Sequence, residues 1–299
     1  MGLPKIIAIV GPNASGKSAL GIELAKTFNG EIISADSRQI YRGFDLCCGK
    51  ASLEERKTVP HHLLDIKDIG EPFSVFEYQK AAYSLISQIS FRNKTPFIVG
   101  GTGLYVRSVV DGYTFREDSA GTELRDKLEG LTADELRAML TPEGKAFLAS
   151  NISDSNNKRR IIRILVKTAL GEPLGYENAA KYDTLQLGVS WPKEKLHERI
   201  DGRLASRIRD GMLEEVKGYL ENGGNPKHLY DLGLEYRYIL WYLTGRFQSL
   251  DEFKLEMSRA IKQFAKRQAT WFRRDKSIHW IDMTGDYLGQ SHSLIADFL

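Results

Sequence analysis

The sequence predicts an α/β fold, a parallel sheet with flanking helices, carrying a small helical insertion. Three observations predict it. The apolar run Ile6-Ile7-Ala8-Ile9-Val10 leads into Gly11-Pro12-Asn13-Ala14-Ser15-Gly16-Lys17-Ser18 and then into a helical period, so a strand feeds a glycine-rich turn and a helix. Over the first hundred residues short apolar runs alternate with helical periods, the pattern of a parallel sheet covered by helices. The 299 residues suffice for a full core with a smaller second body.

Taken in order, the first strand ends at Val10 and gives way to a helix over 17–28, whose apolar positions 20, 22, 24, 25 and 28 share a face. A short second strand over 31–34 runs on to Asp36. Residues 73–89 form a helix, with Ser74 and Glu77 set as a capping box. A strand over 96–99 ends in Gly100-Gly101-Thr102-Gly103, and helix resumes over 104–110. The glycine-rich turn, Asp36 and Thr102 therefore all fall beyond the carboxyl ends of strands, where open sheets collect ligands. From 111 to 155 glycines, acids and short amphipathic pieces mark the insertion, with Thr132 capping a helix over 133–140. A basic helix over 156–170 and a strand over 185–189 follow. The remainder is mostly helical, over 193–209, 212–222, 236–243 and 251–272, before a last strand over 277–281. The expected division is a core of 1–111 with 156–299, and an insertion of 112–155.

Composition excludes several classes. A content of 42% hydrophobic and 27% charged residues is that of a soluble globular enzyme. No 18-residue apolar stretch could span a bilayer and no charged leader opens the chain, so a cytoplasmic protein with no membrane partner is expected. Cys47 and Cys48 are adjacent and alone, which leaves neither a disulfide framework nor a cysteine zinc site. The net charge of +3 is small, but its distribution is uneven. Residues 156–171 hold Lys158, Arg159, Arg160, Arg163 and Lys167 with no acid, and 253–276 hold eight basic residues against Glu256 and Asp275. Beside a phosphate-binding turn, such clusters favour a polyanionic partner over a merely solvated face.

The turn itself is a phosphate loop. Backbone N–H groups of Gly11, Asn13, Ala14, Ser15 and Gly16 wrap oxyanions, Lys17 adds a point charge, and the Ser18 hydroxyl can hold Mg²⁺. A kinase or nucleotide hydrolase would carry an apolar strand ending in a metal-holding acid; only the strand leading to Asp36 does so, and the one at 96–99 ends in glycine and threonine. The cradled phosphate therefore reads as a leaving group. On the residues alone, Asp36 fits a proton acceptor, a magnesium ligand or a helix cap equally. Thr102 fits a ligand hydrogen bond or a cap on the helix from Gly103, and Arg203 an anion ligand or a surface partner of Glu198 or Asp201.

The ordered set of motifs resembles the tRNA dimethylallyltransferase family almost from end to end. The family's loop appears as Gly11 to Lys17 with Asn13 for the usual threonine, and its Asp-Ser-x-Gln-x-Tyr as Asp36-Ser37-Arg38-Gln39-Ile40-Tyr41. Pro60-His61-His62-Leu63-Leu64-Asp65, Val99-Gly100-Gly101-Thr102-Gly103-Leu104-Tyr105, the stretches 157–163 and 196–203, and Ala265-Lys266-Arg267-Gln268-Ala269-Thr270-Trp271-Phe272-Arg273 also match. The resemblance implies a phosphate-loop nucleoside-triphosphate-hydrolase-like fold and transfer of a dimethylallyl group from dimethylallyl diphosphate to N6 of adenosine 37 in tRNA, with Mg²⁺. It implies that Asp36 orients the adenine amine and accepts its proton, that Thr102 bonds the same amine or the diphosphate, and that Arg203 clamps the diphosphate. Ser37, Arg38, Gln39 and Tyr41 would face the RNA, and Arg159, Arg160, Arg163, Lys266, Arg267 and Gln268 would serve the anticodon stem-loop, in part by gripping backbone phosphates. The basic clusters have an alternative use, locking the domains together by ion pairs.

His61 and His62 are expected to be structural or RNA-facing, with Asp65 a hydrogen-bond partner, and Trp271 and Phe272 to pack in the core. A monomer is expected. The sequence departs from the family's Ile-Gly-Tyr-Lys-Glu at Leu234-Glu235-Tyr236-Arg237-Tyr238, has Lys193 for a common arginine, and has Ile164-Leu165-Val166 for Ala-Leu-Glu. The carboxylate at 235 is expected to bear on RNA contact and to leave catalysis intact. Rival readings are an adenylate dimethylallyltransferase using free AMP, ADP or ATP, a phosphate-loop small-molecule kinase, and a non-catalytic RNA-binding protein.

Overall fold

The computed structural model describes residues 2–115, 121–150 and 157–299. In chain order the described elements are β1 (Lys5–Val10), α1 (Lys17–Thr27), β2 (Gly30–Ser34), α2 (Asp45–Cys48), α3 (Leu53–Thr58), β3 (His61–His62), α4 (Val75–Phe91), β4 (Thr95–Gly100) and α5 (Gly103–Val110). Four helices follow, α6 (Thr122–Glu129), α7 (Ala133–Ala138), α8 (Pro142–Ala149) and α9 (Lys158–Ala169). The chain then runs through β5 (Asp183–Ser190), α10 (Lys193–Arg209), α11 (Met212–Glu221), α12 (Pro226–Leu232), α13 (Leu234–Leu243), α14 (Leu250–Phe272), β6 (Ile278–Asp282) and α15 (Tyr287–Phe298). Contacts divide it into two compact units, Met1–Gly112 with Ala180–Leu299, and Tyr113–Ala179.

The larger unit is built on a parallel sheet in the order β3-β2-β4-β1-β5-β6. A central parallel strand must be apolar on both faces, because helices cover both. In β1 the alternation of side chains sorts the residues: Ile6, Ala8 and Val10 join the core under α4 and α5, while Ile7 and Ile9 join the core with Leu20 and Leu24 of α1 and Ile295 of α15. All five, Ile6 through Val10, are fully buried. A third core, under α10 to α14, is built on Met212, Val216, Tyr236, Ile239, Phe253 and Met257.

Local signals set the helix ends. Ser74 Oγ accepts from Glu77 N–H while the Glu77 carboxylate accepts from Ser74 N–H, the expected capping box of α4. Thr132 and Glu135 do the same for α7, and Ser52 with Glu55 for α3. Losing such a cap costs about 1 kcal/mol, enough to matter for six-residue helices that are marginal alone. Sequence periodicity gives no account of β3, a two-residue strand that exists because His61 and His62 pair with Ile32 and Ile33 at the sheet edge. The same holds for the short α12 behind its Asn225 cap and for α15 behind Asp286.

In the smaller unit α9 packs against α6, α7 and α8. Its Ile161, Ile162 and Leu165 share a core with Leu128, Leu136 and Leu148. This differs from the expected division, which assigns the basic helix to the larger body: periodicity marks an apolar face but not what covers it. The expected helix start at 156, and 116–120 and 151–155 of the expected insertion, lie outside the described residues.

Candidate active site

The glycine-rich loop leaves the carboxyl end of β1 and is pinned by side chains from distant parts of the larger unit. Gln268 on α14 accepts from Asn13 N–H at 2.8 Å and donates to the Gly101 carbonyl at 3.0 Å, tying the loop to the turn after β4. Trp191 Nε1 donates to the Ser15 carbonyl at 2.7 Å, and Arg199 Nε donates to the Ala14 carbonyl at 2.9 Å. The Arg199 guanidinium also lies 4.6 Å over the Trp191 ring. With these carbonyls engaged, the loop's shape is fixed before a ligand arrives. Ser15 Oγ is buried with no hydrogen-bond partner among the described residues.

Lys17, the first residue of α1, is buried, and its Nζ donates to the Pro12 carbonyl at 3.3 Å. Burial pulls its pKa down to about 8; the Asp36 carboxylate opposes that fall, and the guanidinia of Arg203 and Arg207 add to it. Ser18 beside it is exposed.

Asp36 follows β2. Its Oδ1 accepts from Arg38 N–H at 2.9 Å, which turns the chain and fixes the carboxylate. The adjacent Ser37 N–H donates to Thr102 Oγ1 at 3.1 Å. Thr102 thus makes no side-chain cap on α5; its hydroxyl joins the turn after β4 to the turn after β2. The two turns approach because β4 ends in glycine: a Cβ on Gly100 would lie 2.1 Å from the Ala35 carbonyl oxygen.

These groups line a cavity of about 450 Å³ within the larger unit. Asn13, Ala14, Lys17 and Ser18 line it from the loop, Asp36 and Thr102 from the strand ends, and Arg203 from α10. The surface alternatives for Arg203 are already taken, since Glu198 pairs with Lys195 at 3.0 Å and Asp201 with Lys262 at 2.7 Å. Arg203 is open to solvent in the cavity yet crowded by protein atoms. That crowding, helped by the like charge of Arg207 and opposed by Asp36, lowers its pKa to about 10.

The residues expected to face RNA divide. Ser37, Arg38 and Gln39 line the cavity, but the Gln39 amide is spent internally, accepting from Ser34 Oγ at 2.9 Å and donating to the Gly49 carbonyl at 3.2 Å. Tyr41 Oη donates to the Glu71 carbonyl at 3.1 Å and stands outside the lining. Arg267 is exposed at the cavity wall, Lys266 is exposed beyond it, and Gln268 is the buried loop brace. Arg159, Arg160 and Arg163 belong to α9 in the smaller unit, where Arg159 is exposed and the Arg163 guanidinium lies 4.2 Å over the Tyr176 ring.

Both histidines are half-buried and bond within the fold, but not to Asp65. His62 Nε2 meets Glu31 Oε2 at 2.7 Å, His61 Nδ1 meets the Val59 carbonyl at 2.7 Å, and Asp65 instead takes Lys50 and Arg56. Phe272 is buried and Trp271 packs against the same core. Residue spacing alone gives no role to the loop braces, to Arg207 or to Glu235 in the cavity, although arginines at 199, 203 and 207 on one helix were a readable signal.

A family model described as IPP transferase matches residues 39–275. The chain belongs to the IPP transferase family. Its loop lies before the matched segment, but relatives cover it: the chain is 38% identical over 297 residues to tRNA dimethylallyltransferase 2 of Shewanella sediminis, covering 98% of each. It is 43% identical over 289 residues to the tRNA dimethylallyltransferase of Carboxydothermus hydrogenoformans, covering 93% of this chain and 92% of that one. Among solved structures, the full-length tRNA isopentenylpyrophosphate transferase of Bacillus halodurans superposes with a TM-score of 0.74 at 34% identity, covering 98% of this chain and 96% of that one.

The donor set of this IPP transferase fits Mg²⁺ better than a softer ion. No group of three or more His, Cys, Asp or Glu side chains comes together among the described residues. The exposed Ser18 hydroxyl and the Asp36 carboxylate share the cavity, and Mg²⁺ takes few protein ligands when phosphate oxygens and water supply the rest. Among the described residues no helix is long and apolar enough to cross a membrane.

Proposed function

We propose that this IPP transferase is an enzyme that transfers the dimethylallyl group of dimethylallyl diphosphate to N6 of adenosine 37 in tRNA, releasing diphosphate. The observation that carries the reading is that a single cavity joins the Lys17–Ser18 anion cradle to the fixed Asp36 carboxylate. The names of its relatives support the reading.

In this reading the loop amides and Lys17 hold the diphosphate, with Arg203 gripping two of its oxygens. The C1–O bond breaks as N6 bonds to C1, and the electron pair leaves on the diphosphate. Ser18 would hold Mg²⁺, which would supply further neutralisation of that charge. Asp36 orients the adenine amine and takes its proton as the bond forms, because an exocyclic amine is too weak an acid to lose it beforehand. Thr102, tied to Ser37, keeps the two turns in register and offers its hydroxyl to the amine or the diphosphate. The adenine enters unstacked, which costs least in an anticodon loop. Ser37, Arg38 and Arg267 face the RNA in this reading, with Arg159, Arg160, Arg163 and Lys266 on backbone phosphates; Gln39, Tyr41 and Gln268 act from behind, as supports. The sheet and loop are of the phosphate-loop nucleoside-triphosphate-hydrolase type, and the protein works as a cytoplasmic monomer.

Incubation with dimethylallyl diphosphate, Mg²⁺ and an unmodified tRNA, followed by nucleoside analysis, should yield N6-dimethylallyladenosine. Prenylation of AMP with no product on tRNA would establish the adenylate enzyme instead, and phosphate transfer from ATP without consumption of allylic diphosphate would establish a kinase.

A pH effect follows from Lys17. The free ammonium titrates at about 8, and a bound diphosphate favours the charged form and raises that value. Affinity for diphosphate should therefore be full below pH 8 and decline above it, with protons taken up on binding in that range. Calorimetry at pH 8.5 in buffers of different ionisation enthalpy, run on the parent and on Lys17→Met, reads the uptake; the same proton count in both would remove Lys17 from the diphosphate site.

A further inference from the structure

Three arginines, Arg199, Arg203 and Arg207, stand four residues apart on α10 and so share one face of it. Arg199 is committed to the Ala14 carbonyl and the Trp191 ring. Arg203 and Arg207 both line the cavity, and neither forms an ion pair among the described residues. Their terminal nitrogens converge on one spot. A Cβ on Gly49 would lie 2.2 Å from Arg203 Nη2 and 1.5 Å from Arg207 Nη2. The two nitrogens are thus within about 4 Å of each other, a distance at which like charges repel unless an anion sits between or beside them.

We propose that Arg207 is a second anion-binding side chain which, together with Arg203, grips the diphosphate held by Lys17 and the loop. The inference rests on the reading of this cavity as the diphosphate site and extends it to a residue that reading leaves idle. Arg207 depresses the pKa of both Lys17 and Arg203, so three cations are held in mutual repulsion within one cavity. The acids present offset them only in part: the Asp36 carboxylate favours the charged forms of Lys17 and Arg203 but is one charge against three. Asp36 is turned toward its own Arg38 N–H, and Glu235, which also lines the cavity, is shifted by burial toward its neutral form, against the fields of Arg207 and Arg38. An allylic diphosphate brings the missing negative charge, and paired guanidinium forks match its several oxygens. Gly49 makes the pairing possible: with no side chain, its backbone is the floor on which both guanidinia rest, and its carbonyl accepts from Arg203 at 3.4 Å.

The test is calorimetric titration of inorganic diphosphate with Mg²⁺ into the whole protein. Arg207→Gln should weaken binding by about tenfold or more, and Arg207→Lys should fall between that variant and the parent because it keeps charge but loses the fork. Gly49→Ala, which retains both charges but puts a methyl where they meet, should also weaken diphosphate binding, and it serves if Arg207→Gln fails to fold. In turnover assays, the loss should fall on KM for the donor and not on KM for tRNA. Diphosphate affinity within about twofold of the parent in Arg207→Gln, or in Gly49→Ala where the first variant does not fold, would overturn the inference and leave the donor-site reading standing. So would recovery of affinity in an Arg207→Gln/Glu235→Gln double variant, since Arg207 would then act only by offsetting Glu235. A parent protein that binds no diphosphate would remove both readings together.

Discussion

Replacing Lys17 by alanine is expected to lower turnover by about 10²–10³-fold, the size of effect seen when one preorganised donor to a developing negative charge is lost. The same variant should melt no lower than the parent. Its folded-state pKa of about 8, against 10.5 for a free lysine, means that the fold disfavours the ammonium. Every tenfold loss of proton affinity corresponds to about 1.4 kcal/mol, so the buried charge costs the folded state about 3 kcal/mol at pH 7. A lysine depressed in this way destabilises most at low pH, and the penalty fades as pH rises from 8 toward 10.5, where the unfolded chain also becomes neutral. Loss of the packed methylene stem offsets part of the gain. Turnover and a thermal melt on one preparation check both halves; a variant inactive because it is unfolded would show a lower melting temperature.

Asp36→Asn should cost about 10²–10⁴-fold in kcat, the range for removing a positioned general base. The substitution is chosen because asparagine keeps an oxygen to accept from Arg38 N–H, so the turn that fixes the side chain survives. Asp36→Ala loses both and should be at least as slow. Affinity for tRNA should stay within about twofold in either variant, since the bulk of nucleic-acid affinity comes from phosphate contacts. Turnover unchanged in Asp36→Asn would remove the carboxylate from the chemistry and leave it a structural turn.

Much of the site was legible because its signals are local. The loop from Gly11 to Ser18, Asp36 after a short strand and Thr102 after a glycine-rich one could be set beyond strand ends from the order of residues alone, and they do line one cavity. The braces were not legible. Nothing near Asn13 in sequence announces Gln268, and nothing near Ser15 announces Trp191; these bonds arise because β1 is flanked by strands from distant parts of the chain. The family resemblance gave Gln268 to the RNA, whereas it is buried and bonded to the loop and to the Gly101 carbonyl. For Thr102 the sequence left a ligand bond and a helix cap both open; the cap is not made, because the Ser37 N–H takes its oxygen. The unit to which α9 belongs was hidden for a related reason, since amphipathicity reveals an apolar stripe and not its cover.

The position of β1 also bears on how the protein is made. The strand leaves the ribosome before both strands that flank it, β4 and β5, and before α14, the helix that braces its loop. Until residues 183–190 emerge, one edge of the most apolar strand in the sheet has no neighbour to bond. The anion cradle therefore matures late in synthesis, and a nascent or truncated chain that stops before α14 holds a complete phosphate-loop sequence without the scaffold that makes it a binding site. Recognising that sequence in a fragment is not the same as finding a working enzyme.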